Sequence, residues 1–208
     1  HQMFHLVHLP LLVTGWIALF LLGLHGLVER PSVRSAALCG TAFAMTALTT
    51  GYYGAAAALV ALVFAAVHAR HFRWRPLAWS AAAIGLAAIL LWPYAHGFME
   101  LRRTESALKR PAGLSAELSF DPARDLKSRA YVYRRLSARL SRGAKGERMF
   151  PGLIACVLAS VALLRRGRDV TFYAAAVAVL LFVSLGPRAG AYSLLRAIPP
   201  FDSMRHPW

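Results

Sequence analysis

"LAWSAAAIGLAAILLWPYA" (77–95) holds nineteen residues without one charge, with tryptophan near either end and a proline at position 93. A helix needs about 20 predominantly apolar residues to cross the hydrocarbon core of a bilayer, and about 17 is the short limit. This block meets that length, and five others like it follow the same chain: 6–28, 35–50, 52–68, 149–164 and 170–186. The first and fourth blocks are long enough outright. The other four reach the limit only if interfacial residues extend their ends. No alternation of apolar and polar residues marks membrane β-strands. The expected fold class is therefore all-α, a polytopic transmembrane bundle of about six membrane helices with one extracytoplasmic loop region.

Composition agrees. The chain is 58% hydrophobic and 16% charged, with a mean hydropathy of +0.49. Soluble domains carry about 45–50% apolar and about 25% charged residues. The net charge of +15 would ordinarily point to nucleic acid, but the aromatics lie in the apolar runs and are not interleaved with basic residues. Of the 24 basic residues 21 are arginine, and alanine is abundant, a bias typical of GC-rich coding. No nucleic-acid partner is expected. Cys39 and Cys156 both fall inside apolar runs and read as small buried hydrophobes, with no metal knuckle or disulfide framework. The chain begins at His1 and stops at Trp208, and it reads as an internal piece of a longer protein.

The short links orient the bundle. "ERPSVR" (29–34), "ARHFRWRP" (69–76) and "RRGRD" (165–169) each carry two or three arginines, whereas "TTGYYG" (49–54) carries no charge. Alternating crossings put the three arginine links on one side, which the positive-inside rule makes the cytoplasm. The segments then read as transmembrane helices 1–4 in 1–95, an extracytoplasmic loop with an amphipathic helix in 96–150, and transmembrane helices 5–6 with an extracytoplasmic tail in 151–208. The loop itself has 13 Lys/Arg against 6 Asp/Glu, but long loops translocate largely regardless of charge. Within it, "DLKSRAYVYRRLSARL" (125–140) spaces Leu126, Ala130, Tyr133, Leu136 and Leu140 as one helical face, after a start signal at Asp121 and Pro122.

Four stretches carry polar chemistry. "HQMFHLVH" (1–8) places His1, His5 and His8 on one helical face; no carboxylate lies nearby, so a polar cavity lining is favoured over a metal site. Tyr52 and Tyr53 in "TTGYYG" are either an interfacial aromatic belt at a tight hairpin or an aromatic platform at the mouth of a substrate cavity. In "GAKGERMFPG" (143–152), Glu147 sits ahead of a helix start at Pro151, where free N–H groups favour an anion. It is a helix cap, or it joins Arg148 in an anion site. In "LRAIPPFDSMRHPW" (195–208), Arg205 follows two prolines, and its planar fork suits a phosphate, either of a substrate or of a phospholipid headgroup. Ionisable residues inside the helices are nearly absent apart from His25, which speaks against an ion-coupled transporter. No nucleophile motif or phosphate loop is present, and no cofactor is identified, with a divalent metal left as an open alternative.

Taken together, "YYG", a long loop ending in "GE…FPG", then "LGPR" and "IPPFDSMRHP" resemble bacterial multi-spanning glycosyltransferases of the GT-C type. The matching positions are Gly146, Glu147, Phe150, Pro151 and Gly152, followed by Pro199, Phe201, Arg205 and Pro207, with "HLPLL" (8–12) opening the first helix. The resemblance implies a polyprenyl-phosphate-linked sugar as donor and transfer at the outer face of the bacterial cytoplasmic membrane. It also implies an acidic residue in a first outer loop, ahead of this chain, so the catalytic base is not among these residues. Glu147, Arg148, Arg205, His5, His8, Tyr52 and Tyr53 are the expected substrate-binding residues. Membrane lipids and the lipid-linked sugar are the expected partners. The rival class is a non-enzymatic polytopic protein, a transporter of lipid-linked or polar solutes or an envelope-assembly scaffold.

Overall fold

A computed structural model describes residues 14–71, 73–104, 153–165 and 167–185. Among the described residues there are six α-helices and no strand: α1 Gly15–Glu29, α2 Val33–Thr49, α3 Gly51–His68, α4 Trp74–Thr104, α5 Leu153–Leu163 and α6 Arg168–Ser184. One 3₁₀ turn, Ala69–His71, follows α3. The all-helical expectation holds for these residues. Of the six expected spans, two helices are long and apolar enough to cross a membrane, Gly51–His71 and Trp74–Leu101. The described lengths of α1 and α5 are 15 and 11 residues. At 1.5 Å per residue these reach only about 22 Å and 16 Å, against a hydrocarbon core of about 30 Å.

The chain divides into two compact units, and the first contains α1 to α4. Its centre is α2, which packs on α1, α3 and α4. Small residues make this possible. A Cβ placed on Gly23 of α1 would lie 2.7 Å from the Cα of Cys39, and one on Gly40 of α2 would lie 2.5 Å from the Ala83 carbonyl oxygen of α4. Neither position has room for any side chain, so the backbones approach as closely as in small-residue contacts between membrane helices. Ala36, Cys39, Ala42, Ala44 and Thr46 complete the buried face of α2. Phe20 of α1 meets Phe43 of α2 with ring centroids 5.5 Å apart. The buried Thr46 hydroxyl donates to the Ala42 carbonyl at 2.7 Å, which satisfies it within its own helix.

Two corners set the register. Ser32 caps α2: its Oγ accepts from the Ser35 N–H at 3.3 Å, while the Ser35 hydroxyl donates back to the Arg30 carbonyl at 2.9 Å. At the other end α2 and α3 are joined by Thr50 alone, which caps both helices, and its side chain accepts from the Tyr52 N–H at 3.3 Å. So short a link forces the helices together, and Gly54 supplies the space: a Cβ there would lie 2.7 Å from that of Ala47.

Outside this core, α3 and α4 are apolar yet exposed. Only 22% and 11% of their most apolar stretches are buried, and Leu62, Ile84 and Ile89 are each about two-thirds exposed or more. A contiguous apolar surface of that kind is rare on a protein surrounded by water. Helix α4 also runs beyond Ala95, where its apolar block ends, to Thr104, so the first residues of the segment 96–150 are helical. Pro93 lies inside it, at the cost of one backbone bond.

The second unit contains α5 and α6. Asp169 sits in the first turn of α6, where the helix dipole favours a negative charge. Phe172, Ala176 and Val183 form the buried stripe of α6, with Phe172 fully enclosed. The amphipathic helix expected at 125–140 lies outside the described residues.

Candidate functional site

The polar groups of the first unit gather at its two ends. At the link end, α1 and α3 run in the same direction and bring His25 and His68 side by side, with ring centroids 6.1 Å apart and nearly perpendicular. Phe64 completes the cluster: it stacks on His68 at 4.2 Å and meets the edge of His25 at 5.1 Å. The spacing follows from the helix, since Phe64 and His68 are one turn apart on the same face. His68 and Phe64 are buried, and His25 is largely so.

The carbonyl of Phe64 can only accept, so the His68 Nδ1–H donates to it at 3.1 Å. That bond orients the His68 ring within the cluster. One turn beyond His25, Glu29 brings a carboxylate oxygen to 3.9 Å from its Nδ1. This is an ion-pair distance, too long for a hydrogen bond. The site thus holds two imidazoles and a carboxylate around a phenyl ring, beside links that carry Arg30, Arg34, Arg70 and Arg73. Such a group can exchange a proton or orient an anion. Among the described residues no three His, Cys, Asp or Glu are grouped so as to hold a metal ion.

The opposite end is the α2–α3 hairpin. Tyr52 and Tyr53 occupy the first turn of α3, both half-buried, with Thr49 and Thr50 beside them. The Thr49 hydroxyl donates to the Met45 carbonyl at 2.8 Å. No Asp, Glu, Lys or Arg lies in the turn itself, residues 49–54. The end is therefore aromatic and hydroxylic, well suited to the boundary between hydrocarbon and water.

Of the residues expected to bind substrate, the structure places Tyr52 and Tyr53 together at this hairpin. His5, His8, Glu147, Arg148 and Arg205 lie outside the described residues, as does His1. The sequence reading singled out His25 and passed over His68. The signal was present: in alternating crossings the first and third helices end on the same side, and His25 stands one turn before an arginine link while His68 directly precedes one. Cys39 is buried and Cys156 half-buried, and both are free thiols. No family model matches the chain, and no curated protein or solved structure matches it either.

Proposed function

We propose that this chain is part of an integral membrane protein of the bacterial cytoplasmic membrane, of the GT-C glycosyltransferase-like kind, which transfers a sugar from a polyprenyl-phosphate donor at the outer face. The observation that supports the membrane location is the exposed apolar surface of α3 and α4, which finds its natural surroundings among lipid chains. With the arginine links inside, the Tyr52–Tyr53 hairpin faces outward, on the side where the loop 96–150 and the tail 187–208 are expected. The remaining spans would be α1, α2, α5 and α6, with their ends completed by interfacial residues.

The chemistry rests on the resemblance of the outer segments. A lipid-linked donor keeps its polyprenyl tail in the bilayer and its phosphate at the surface. Transfer needs a base for the acceptor hydroxyl and cations for the departing phosphate. Arg148 and Arg205 would meet the phosphate, Glu147 would orient them, and Tyr52, Tyr53, His5 and His8 would line the mouth of the cavity. Sugar transfer from a labelled polyprenyl-phosphate donor in membrane vesicles tests this. Arg205→Lys and Glu147→Gln are expected to lower transfer about tenfold or more with insertion unchanged, because a lysine loses the two-pronged phosphate contact. Wild-type transfer in both variants would reduce these residues to a headgroup anchor and a helix cap.

The His25–His68 pair favours a second reading, transport of a polar or lipid-linked solute. Ionisable groups buried between membrane helices mark solute and proton paths more often than they serve packing. Under that reading His68→Gln abolishes uptake by vesicles. Under the transferase reading the same variant leaves sugar transfer at the wild-type rate.

A further inference from the structure

We infer that α4 is registered in the bilayer by an aromatic belt at Trp74 and another at Trp92–Tyr94, so that its last turns, from Ala95 to Thr104, stand outside the hydrocarbon as a rigid post. This rests on the membrane reading and specifies the lipid contact within it. Helix α4 has 31 residues, a length of about 46 Å, which exceeds the hydrocarbon thickness by about 16 Å. Something must decide which part is immersed.

Trp74 and Trp92 are separated by about five helical turns, hence lie on one face about 27 Å apart, close to the thickness of the hydrocarbon core. Both are strongly exposed, at 72% and 62%, and Tyr94 is 54% exposed. From Leu77 to Leu90 no residue is charged, and Leu77, Ile84, Ile89 and Leu90 are exposed. Charges occur only at the belts or beyond them. Arg73 and Arg75 flank Trp74, and the Arg75 guanidinium carbon sits 5.3 Å from the Trp74 ring centroid, a cation–π contact suited to the headgroup layer. Past the other belt come His96, Glu100 and Arg103, all exposed.

The inward stripe is equally regular. Ala83 and Ala87 are buried against the rest of the unit, and Ala83 meets Gly40 of α2. One narrow stripe thus faces protein, and the remaining surface is shaped for lipid. Pro93 falls within the upper belt, where carbonyls released by its missing N–H can meet water at the interface.

Depth-dependent quenching in phosphatidylcholine/phosphatidylglycerol vesicles tests the register. Variants retain a single tryptophan, Trp74 or Trp92, with the others changed to phenylalanine, and an Ile84→Trp variant marks the middle. Bromines high on the acyl chains are expected to quench Trp74 and Trp92 at least twofold more than bromines near the chain ends, with the reverse order for Ile84→Trp. In a Cys156→Ala background that otherwise keeps every tryptophan, Glu100→Cys is expected to react fully with a membrane-impermeant maleimide. Deep quenching of Trp92, or protection of Glu100→Cys, would overturn the register while leaving the helix in the membrane. Loss of lipid quenching at Trp74 and Trp92 alone would show that a second protein surface covers this face, which also overturns it. Absence of quenching at all three positions would refute the membrane reading itself.

Discussion

Helices α2 and α4 are both apolar, yet they meet different surroundings. Helix α2 buries residues along its whole length, and nearly all are small: Ala36, Cys39, Gly40, Ala42, Ala44 and Thr46. Helix α4 is nearly twice as long, and its buried residues include Pro76, Ala83 and Ala87, whereas Ile84, Ile89 and Trp92 are exposed. In a soluble protein, large apolar side chains go inside. Along α2 and α4 the size order is inverted, with small residues where these helices touch and large ones outside, as expected where lipid tails solvate the exterior and close backbone contact drives association.

The strongest way to break this contrast is on its inner side. Phe64 is 1% exposed and holds the two histidines together. Phe64→Ala should cost about 3–5 kcal/mol, read as a lowered unfolding midpoint in detergent. An unchanged midpoint would mean that the His25–Phe64–His68 cluster contributes nothing to packing.

The outer side offers a sharper discrimination. Ile84 is 70% exposed near the middle of α4. In a bilayer, Ile84→Arg should lower insertion of the helix by about 2.5–3.5 kcal/mol, measured as the inserted fraction in a translocation assay. On a water-exposed surface the same change would stay within about 0.5 kcal/mol.

A pair of glycines compares the two helices directly. Gly40→Val must displace the Ala83 backbone and should cost about 1–3 kcal/mol, whereas a Cβ on Gly85 of α4 has no neighbour within 4 Å, so Gly85→Val should cost nothing measurable. Equal effects would dissolve the distinction between a glycine packed against another helix and one on the open face. The smallest expected effect is at the α1–α2 corner, where Ser32→Ala removes the cap of α2 at a cost of about 1 kcal/mol by thermal unfolding.

Much of this was legible in the residues. The blocks 35–50 and 52–68 coincide within two residues with α2 and α3, because charge-free runs of that length have few other structures open to them. Helix α4 outran its block because hydropathy falls at His96 while helical hydrogen bonding does not; Phe98, Met99, Glu100 and Leu101 carry the helix on. The single-residue link at Thr50 was not visible either, since "TTGYYG" reads as a turn until Gly54 is seen against Ala47. Of the candidate site, the sequence located Tyr52 and Tyr53 at a hairpin but missed His68, whose partner lies in a helix two crossings earlier. Contacts across that separation depend on helix direction and rotation, which no local window contains.

Helix α3 is long and apolar enough to cross a membrane, and we propose that its tyrosine end lies outside and its arginine link inside. Cysteines at its two ends test it most directly. Gly51 and Ala69 are both exposed, and Cys39 is buried, so Gly51→Cys and Ala69→Cys in a Cys156→Ala background can be probed with an impermeant maleimide. Gly51→Cys is expected to label in intact cells and Ala69→Cys only after the membrane is permeabilised. Labelling of both positions from the same side would contradict it.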